Sequence, residues 1–120
     1  MPIVKITVPH GAVRDSAALL ADLSSRLALA LCIPRTALGI HLNAPPPDGW
    51  VGPEDRGPRY TFVEILLLPG RSRAVKAHAV SAIAESLAPL GVPASDLDVA
   101  FIEVPRPDWA VGGALLADEP

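Results

Sequence analysis

The chain is short of cysteine, aromatic rings and charge, and each shortage removes a class of protein. Its single cysteine, Cys32, rules out an internal disulfide framework. Aromatic residues fill only 4% of the 120 positions while 50% are hydrophobic, so the core must be aliphatic, built from Leu, Val, Ile and Ala. Charged residues reach only 19%, the net charge is -3, and no cluster of Lys and Arg occurs. A surface that tracks phosphates is therefore not expected, and nucleic acid is excluded as an expected partner. No apolar stretch reaches the roughly 18 residues of a membrane span, and the N-terminus lacks the charged and long apolar segments of a signal peptide. The expectation is a cytoplasmic protein that does not associate with membranes. His10, His41 and His78 share no ligand spacing with one another or with Cys32, so no metal site is expected.

What is present reads as one domain, residues 1–120, with alternating strand and helix signals. Residues 2–8 are β-branched and apolar, with Lys5 and Thr7 on the alternate face, and Pro9-His10-Gly11 ends that strand. Asp15 or Ser16 can cap a helix whose Leu19, Leu20, Leu23, Leu27 and Leu31 recur at three- and four-residue steps. Pro34 limits it to about Cys32, which is read as buried packing. Leu38, Ile40 and Leu42 alternate as a second strand, and the proline- and glycine-rich stretch from Asn43 to Arg59 is read as a loop. Residues 62–68 form a third strand, apolar apart from Glu64 and stopped by Pro69-Gly70. Ser72 can cap a second helix through Val75, Ala79, Ile83 and Leu87, which Pro89 should end at Ala88 by disfavouring helical geometry there. Leu97, Val99, Phe101 and Glu103 lead a fourth strand, and Gly112-Gly113 is read as a turn.

Laid on itself at an offset of 59, the chain repeats this β-α-β pattern without a gap. Val4 falls on Val63, Gly11 on Gly70, Arg14 on Arg73, Pro34 on Pro93, Pro46 on Pro105, and Trp50 on Trp109, the only other tryptophan. The spacing predicts two pseudo-repeats, 2–58 and 61–117. A β-α-β crossover is right-handed almost without exception. Two such units give an α+β fold, a tandem β-α-β repeat whose four-stranded sheet carries both helices on one face. The other face is bare and apolar, which predicts a homo-oligomer.

Pro2 follows the initiator methionine, and methionine is ordinarily trimmed before a small residue. Removal of Met1 leaves a free secondary amine at the start of a strand. With that amine in mind, Met1-Pro2, Leu68-Pro69-Gly70-Arg71-Ser72 and the run from Glu103 through Trp109 to Gly113 resemble the tautomerase superfamily. That superfamily is typified by 4-oxalocrotonate tautomerase, and the chain is similar to its two-unit members, such as malonate semialdehyde decarboxylase, which assemble as trimers. The resemblance implies a tautomerase/MIF-like fold, a homotrimer, Pro2 as catalytic base or acid, and Arg71 as the turn arginine that binds substrate carboxylate. It further implies Arg73 as a second substrate-binding arginine and Trp109 as a wall of the pocket. Two family positions differ: the second tautomerase arginine falls on Gly39 and Asp98, and the decarboxylase aspartate falls on Ala37.

The chemistry follows from these groups. An α-amino group ordinarily titrates near 7.7–8.0, and an aliphatic pocket and nearby guanidinium groups both move it down. Pro2 is then neutral at pH 7, abstracts a proton α to a carbonyl and returns it elsewhere on the dienol. Arg71 and Arg73 bind the carboxylate and stabilise the developing enolate charge. Tyr60 and His41 are further possible donors. The reading is a keto-enol tautomerase or isomerase of a small 2-oxo or enol carboxylate that needs no cofactor and no metal. Decarboxylation or hydration of a small 3-oxo or unsaturated acid is the alternative within the family, and a non-catalytic oligomeric scaffold is the alternative outside it.

Overall fold

The computed structural model describes residues 2–118. Its first strand, β1 (Ile3–Thr7), is the β-branched run, and its buried positions Val4 and Ile6 continue in phase to Val8 and back to Pro2. Helix α1 (Ser16–Leu31) starts at Asp15, whose carboxylate accepts the Ala18 amide at 3.0 Å. Its leucines at three- and four-residue steps put Leu19, Leu23, Leu27 and Leu31 in the core. The helix ends on Cys32, which adopts the left-handed conformation (φ 57°) and hydrogen-bonds back to the Ala28 and Leu29 carbonyls. Cys32 is exposed, contrary to the expected burial. Leu31 is the last residue on the core stripe, and the left-handed turn carries the next side chain away from it.

A 3₁₀ turn, Arg35–Ala37, leads into β2 (Gly39–Asn43). The proline- and glycine-rich connection that follows holds a further 3₁₀ turn, Pro47–Gly49, and hydrogen-bonded turns closed by the Arg56 and Tyr60 amides before β3 (Thr61–Leu67). Ser72 accepts the Val75 amide and opens α2 (Arg73–Leu87). Pro89 ends the α-helix as expected, but Ala88 keeps helical angles (φ -55°, ψ -44°) and starts the 3₁₀ turn Ala88–Leu90. A proline near the start of such a turn has no amide to satisfy, so it tightens the helix end without displacing the residue before it. After β4 (Leu97–Glu103) and the turn Arg106–Asp108, the chain closes in a small hairpin of β5 (Ala110–Val111) and β6 (Ala114–Leu115). Gly112 and Gly113 turn it at φ 59° and 83°, a region that favours residues without a Cβ.

The sheet order is β2-β1-β3-β4. Each β-α-β unit pairs its own strands in parallel, and the two units join antiparallel through β1 and β3. Both helices lie on one face, where Val4, Ile6, Leu23, Leu27, Val63, Ile65, Leu67, Ile83 and Leu87 are completely buried. The architecture is therefore the α+β arrangement of two helices on a mixed four-stranded sheet. The opposite face is banded rather than uniformly apolar. Register puts Ile3, Leu66 and Ile102 in one apolar row and His41, Lys5, Glu64 and Ala100 in the next. Val99 and Phe101 turn to the helices and pack against the core. No helix of the described residues is long and apolar enough to cross a membrane.

Candidate active site

The antiparallel joint decides what can meet. Ile3 pairs with Leu66, so Pro2 lies one residue further on, beside Leu67 at the C-terminal end of β3. Pro2 is fully buried, and its carbonyl accepts the Gly39 amide at 3.2 Å. On the other flank of Leu67, the Val104 amide donates to the Leu67 carbonyl at 2.8 Å. Beyond Leu67 the chain needs only four residues to reach Arg71, at most about 14 Å even if fully extended. Gly70 sits at φ 122°, which redirects the chain at that turn. One end of the sheet thus gathers the start of β1, the arginine-bearing turn and the segment after β4.

Arg71 is half-buried and Arg73, the first residue of α2, is exposed. Neither guanidinium has an ion-pair or hydrogen-bond partner among the described residues. Four of the other eight cations are committed: Arg26 to Asp22 and Glu85, Arg56 to Asp98, Lys76 to Glu103, and Arg106 to the Ala117 carbonyl. Two uncommitted arginines in one turn are chemically equipped to hold an anion.

Trp109 lines a cleft of about 330 Å³ with Leu66, Val104, Asp108 and Ala110. Leu66 is the strand partner of Ile3, so this cleft opens beside the first residues of β1. The segment bearing Trp109 is pinned by the Arg106-to-Ala117 bond and by the Leu116 amide donating to the Trp109 carbonyl. In sequence, Asp108 stands out only in the Asp108-Trp109 pair that resembles malonate semialdehyde decarboxylase, and the structure adds that it lines this cleft.

Two candidate donors lie elsewhere in the protomer. Tyr60 precedes β3, at the opposite end of the sheet, and seven residues of strand separate it from Leu67, roughly 23 Å. Its hydroxyl donates to Asp98 Oδ2 at 2.8 Å, Arg56 Nη2 donates to Asp98 Oδ1 at 2.6 Å, and Trp50 stacks on the Tyr60 ring. Burial, with the Asp98 bond second, pushes the Tyr60 hydroxyl above its ordinary pKa. The Arg56 bond, helped by Tyr60, holds Asp98 below the usual carboxylate value. His41 is exposed on the open face beside Lys5, its register partner. The structure thus brings Pro2, Arg71, Arg73 and Trp109 to one end, and leaves Tyr60 and His41 outside that group within a single chain.

The two positions where an arginine was missing have structural explanations. A Cβ on Gly39 would lie 2.8 Å from Ile3 Cδ1, so a long side chain there requires Ile3 to move. Asp98 faces an arginine, Arg56, but neutralises it. A larger cleft, about 590 Å³, lies between the start of α1 and the end of α2, with Arg14, Asp22, Arg59 and Ser86 on its walls. It sits at the far end of β1 from Pro2, and its size does not outweigh that separation from the candidate chemistry. Among the described residues no group of His, Cys, Asp or Glu side chains is placed to hold a metal ion.

Comparison with known proteins bears on the family and the fold. Residues 46–112 match the family of tautomerase enzymes, a span that covers more than half of the chain. No curated protein matches the sequence. Among solved structures, a fused 4-OT symmetric trimer superposes with a TM-score of 0.81 at 22% identity, covering 95% of this chain and 94% of that one. The FG41 malonate semialdehyde decarboxylase inhibited by 3-bromopropiolate gives 0.69 at 24% identity, covering 92% and 88%. The macrophage migration inhibitory factor of Toxoplasma gondii gives 0.79 at 19% identity, covering 95% and 99%. At these identities the structural likenesses establish the fold, and the sequence match establishes the kinship: this chain belongs to the tautomerase family.

Proposed function

We propose that the protein is a cofactor-independent tautomerase or isomerase of a small 2-oxo or enol carboxylate, with the Pro2 nitrogen as base and acid. One observation carries the reading. The antiparallel pairing of β1 with β3 puts buried Pro2 at the sheet end from which the unpaired Arg71 and Arg73 project. The reading requires removal of Met1, which lies outside the described residues.

With the amine freed, its aliphatic surroundings and the two guanidinium groups both favour the neutral form. Arg71 and Arg73 bind the substrate carboxylate and take up the negative charge that grows as the α-proton leaves. Pro2 receives that proton and delivers it to the far carbon of the dienol, so the reaction returns the amine to its starting state. Trp109 supplies an apolar wall that limits water in the cleft.

The assembly belongs to the same proposal. The protomer is elongated, 43 Å along its longest axis, and its hairpin carries Val111 and Leu115 exposed at 44% and 70%. Ile102 adds an exposed apolar group in the Ile3, Leu66 row of the open face. These surfaces suit burial against other copies of the chain, and the fused 4-OT relative is a trimer. We propose a homotrimer. A second activity, decarboxylation of a 3-oxo acid, is favoured by Arg73 and by the likeness to malonate semialdehyde decarboxylase.

The test supplies phenylenolpyruvate and malonate semialdehyde separately and follows ketonisation against CO2 release. Ketonisation that disappears in Pro2→Ala, while the oligomer persists, supports the tautomerase. CO2 release without ketonisation assigns the lyase, and full activity in Pro2→Ala removes the amine from the mechanism.

A further inference from the structure

The end of the sheet that carries Arg71 and Arg73 also carries one acid, Asp108, on the wall of the cleft beside Trp109. Asp108 is exposed, and its carboxylate has no hydrogen-bond or ion-pair partner among the described residues. Opposite charges at one end of a small domain commonly close into an ion pair. Here no contact of 4 Å or less forms between Asp108 and either arginine. The 3₁₀ turn Arg106–Asp108 holds the acid in place through the Asp108 amide, which donates to the Pro105 carbonyl at 2.9 Å. The result is a cleft with an anionic group, Asp108, on its wall beside the apolar Leu66, Val104 and Trp109, at the same end of the sheet as the arginine-bearing turn.

We infer that Asp108 is a specificity determinant that turns substrate carboxylates toward Arg71 and Arg73 and rejects molecules bearing a second carboxylate at the opposite end. The inference rests on the carboxylate-binding reading of the two arginines and adds to it the class of substrate: a monocarboxylate whose far end is neutral or carries a hydrogen-bond donor. The physical reason is like-charge repulsion across the cleft. Two carboxylates brought about 5 Å apart at an effective dielectric of about 25–50, suited to an exposed acid, disfavour binding by roughly 10- to 100-fold. The same acid accepts a hydrogen bond from a hydroxyl or amine at that position, so it discriminates by attraction as well as by repulsion. Asp108 reaches the substrate's distal end and takes no part in the proton transfer.

The test compares hexa-2,4-dienoate with hexa-2,4-dienedioate, stable acids that differ only in a distal methyl or carboxylate. Their dissociation constants are measured by titration calorimetry on the full chain, on Asp108→Asn and on Arg71→Ala. The native chain is expected to bind the monoacid at least about 10-fold more tightly. Asp108→Asn is expected to bring the two within about 3-fold, mainly by tightening the diacid, and added salt to narrow the native ratio. A native chain that prefers the diacid, a ratio unchanged in Asp108→Asn, or no binding of either acid at millimolar concentration overturns the inference. Arg71→Ala separates the two levels. If both acids lose affinity in that variant while the Asp108 substitution changes nothing, only the specificity assignment fails. If neither acid responds to the loss of Arg71, the carboxylate clamp fails and the assignment fails with it.

Discussion

Arg71→Ala separates a substrate-binding arginine from a structural one, because the structure predicts opposite effects on stability and on catalysis. The Arg71 guanidinium is half-buried in the turn after β3 and has no partner among the described residues. Its removal breaks no native ion pair, so stability should change by no more than about 0.5 kcal/mol, as for surface substitutions away from special features. For a domain of this size that is a shift in Tm of about 3 °C or less. Catalysis should respond differently. A hydrogen bond to a charged group contributes about 1.5–3 kcal/mol, and each 1.36 kcal/mol is tenfold in rate. Loss of one such bond to the carboxylate in the transition state lowers kcat/KM by about 10- to 150-fold. The assay pairs ultraviolet-monitored ketonisation of phenylenolpyruvate with thermal unfolding followed by circular dichroism. Arg71→Lys should recover part of the loss, since an ammonium keeps the charge and forfeits the fork. Activity within about 3-fold of the native chain, or a Tm drop of 10 °C or more, refutes the reasoning.

Further predictions concern the frame that holds the site. Ile83 is fully buried between α2 and the sheet; Ile83→Ala should cost about 2–5 kcal/mol, read as a lower urea midpoint at unchanged slope. Cys32 caps α1 in the left-handed region, so Cys32→Gly should stabilise by about 1 kcal/mol, offset in part by added freedom of the unfolded chain, and Tm should rise. Tyr60 has a raised pKa in the folded state, from burial and then its bond to Asp98. Its contribution is therefore complete below the unfolded value of about 10 and is lost as pH rises through the higher folded value. Denaturant midpoints should fall on the alkaline side, and Tyr60→Phe should flatten that arm. Asp98, held low first by Arg56, acts in the reverse direction. Its contribution is present above the carboxylate's ordinary value of 3.8 and is lost as pH falls through the lower folded value. Asp98→Asn should flatten the acid arm of the same profile.

The elements were legible because each has a local cause. β-Branched runs marked the strands, Asp15 and Ser72 marked the helix starts, and the matched glycines, prolines and tryptophans marked two units of one pattern. The end of the sheet that would gather Pro2, Arg71, Arg73 and Trp109 was legible too, through the family resemblance. Features that depend on register were not. Whether Val99 and Phe101 face the helices or the open side is set by the pairing of β4 with β3, and a shift of one residue reverses it. The Arg56, Tyr60 and Asp98 cluster joins residues 38 and 42 positions apart, so no local pattern announces it. Cys32 deceived for another reason: its leucine- and alanine-rich neighbours suggest burial, but the helix ends on it and the left-handed turn exposes it. Asp108 was legible only as part of the Asp108-Trp109 pair that resembles malonate semialdehyde decarboxylase; its place on the cleft wall beside Trp109 and Leu66 depends on the fold.

The central claim is that the Pro2 nitrogen is a free amine, neutral at pH 7, at the arginine-bearing end of the sheet. It is tested most directly by titrating that nitrogen in ¹⁵N-proline-labelled protein by NMR, with the intact mass measured on the same sample. The account predicts a mass lacking Met1 and one proline nitrogen that titrates below the ordinary α-amino range of about 7.7–8.0. Arg71→Ala should move that titration upward, because one neighbouring positive charge is gone. A retained methionine, or a Pro2 nitrogen that titrates at or above the ordinary range and ignores Arg71, contradicts the account.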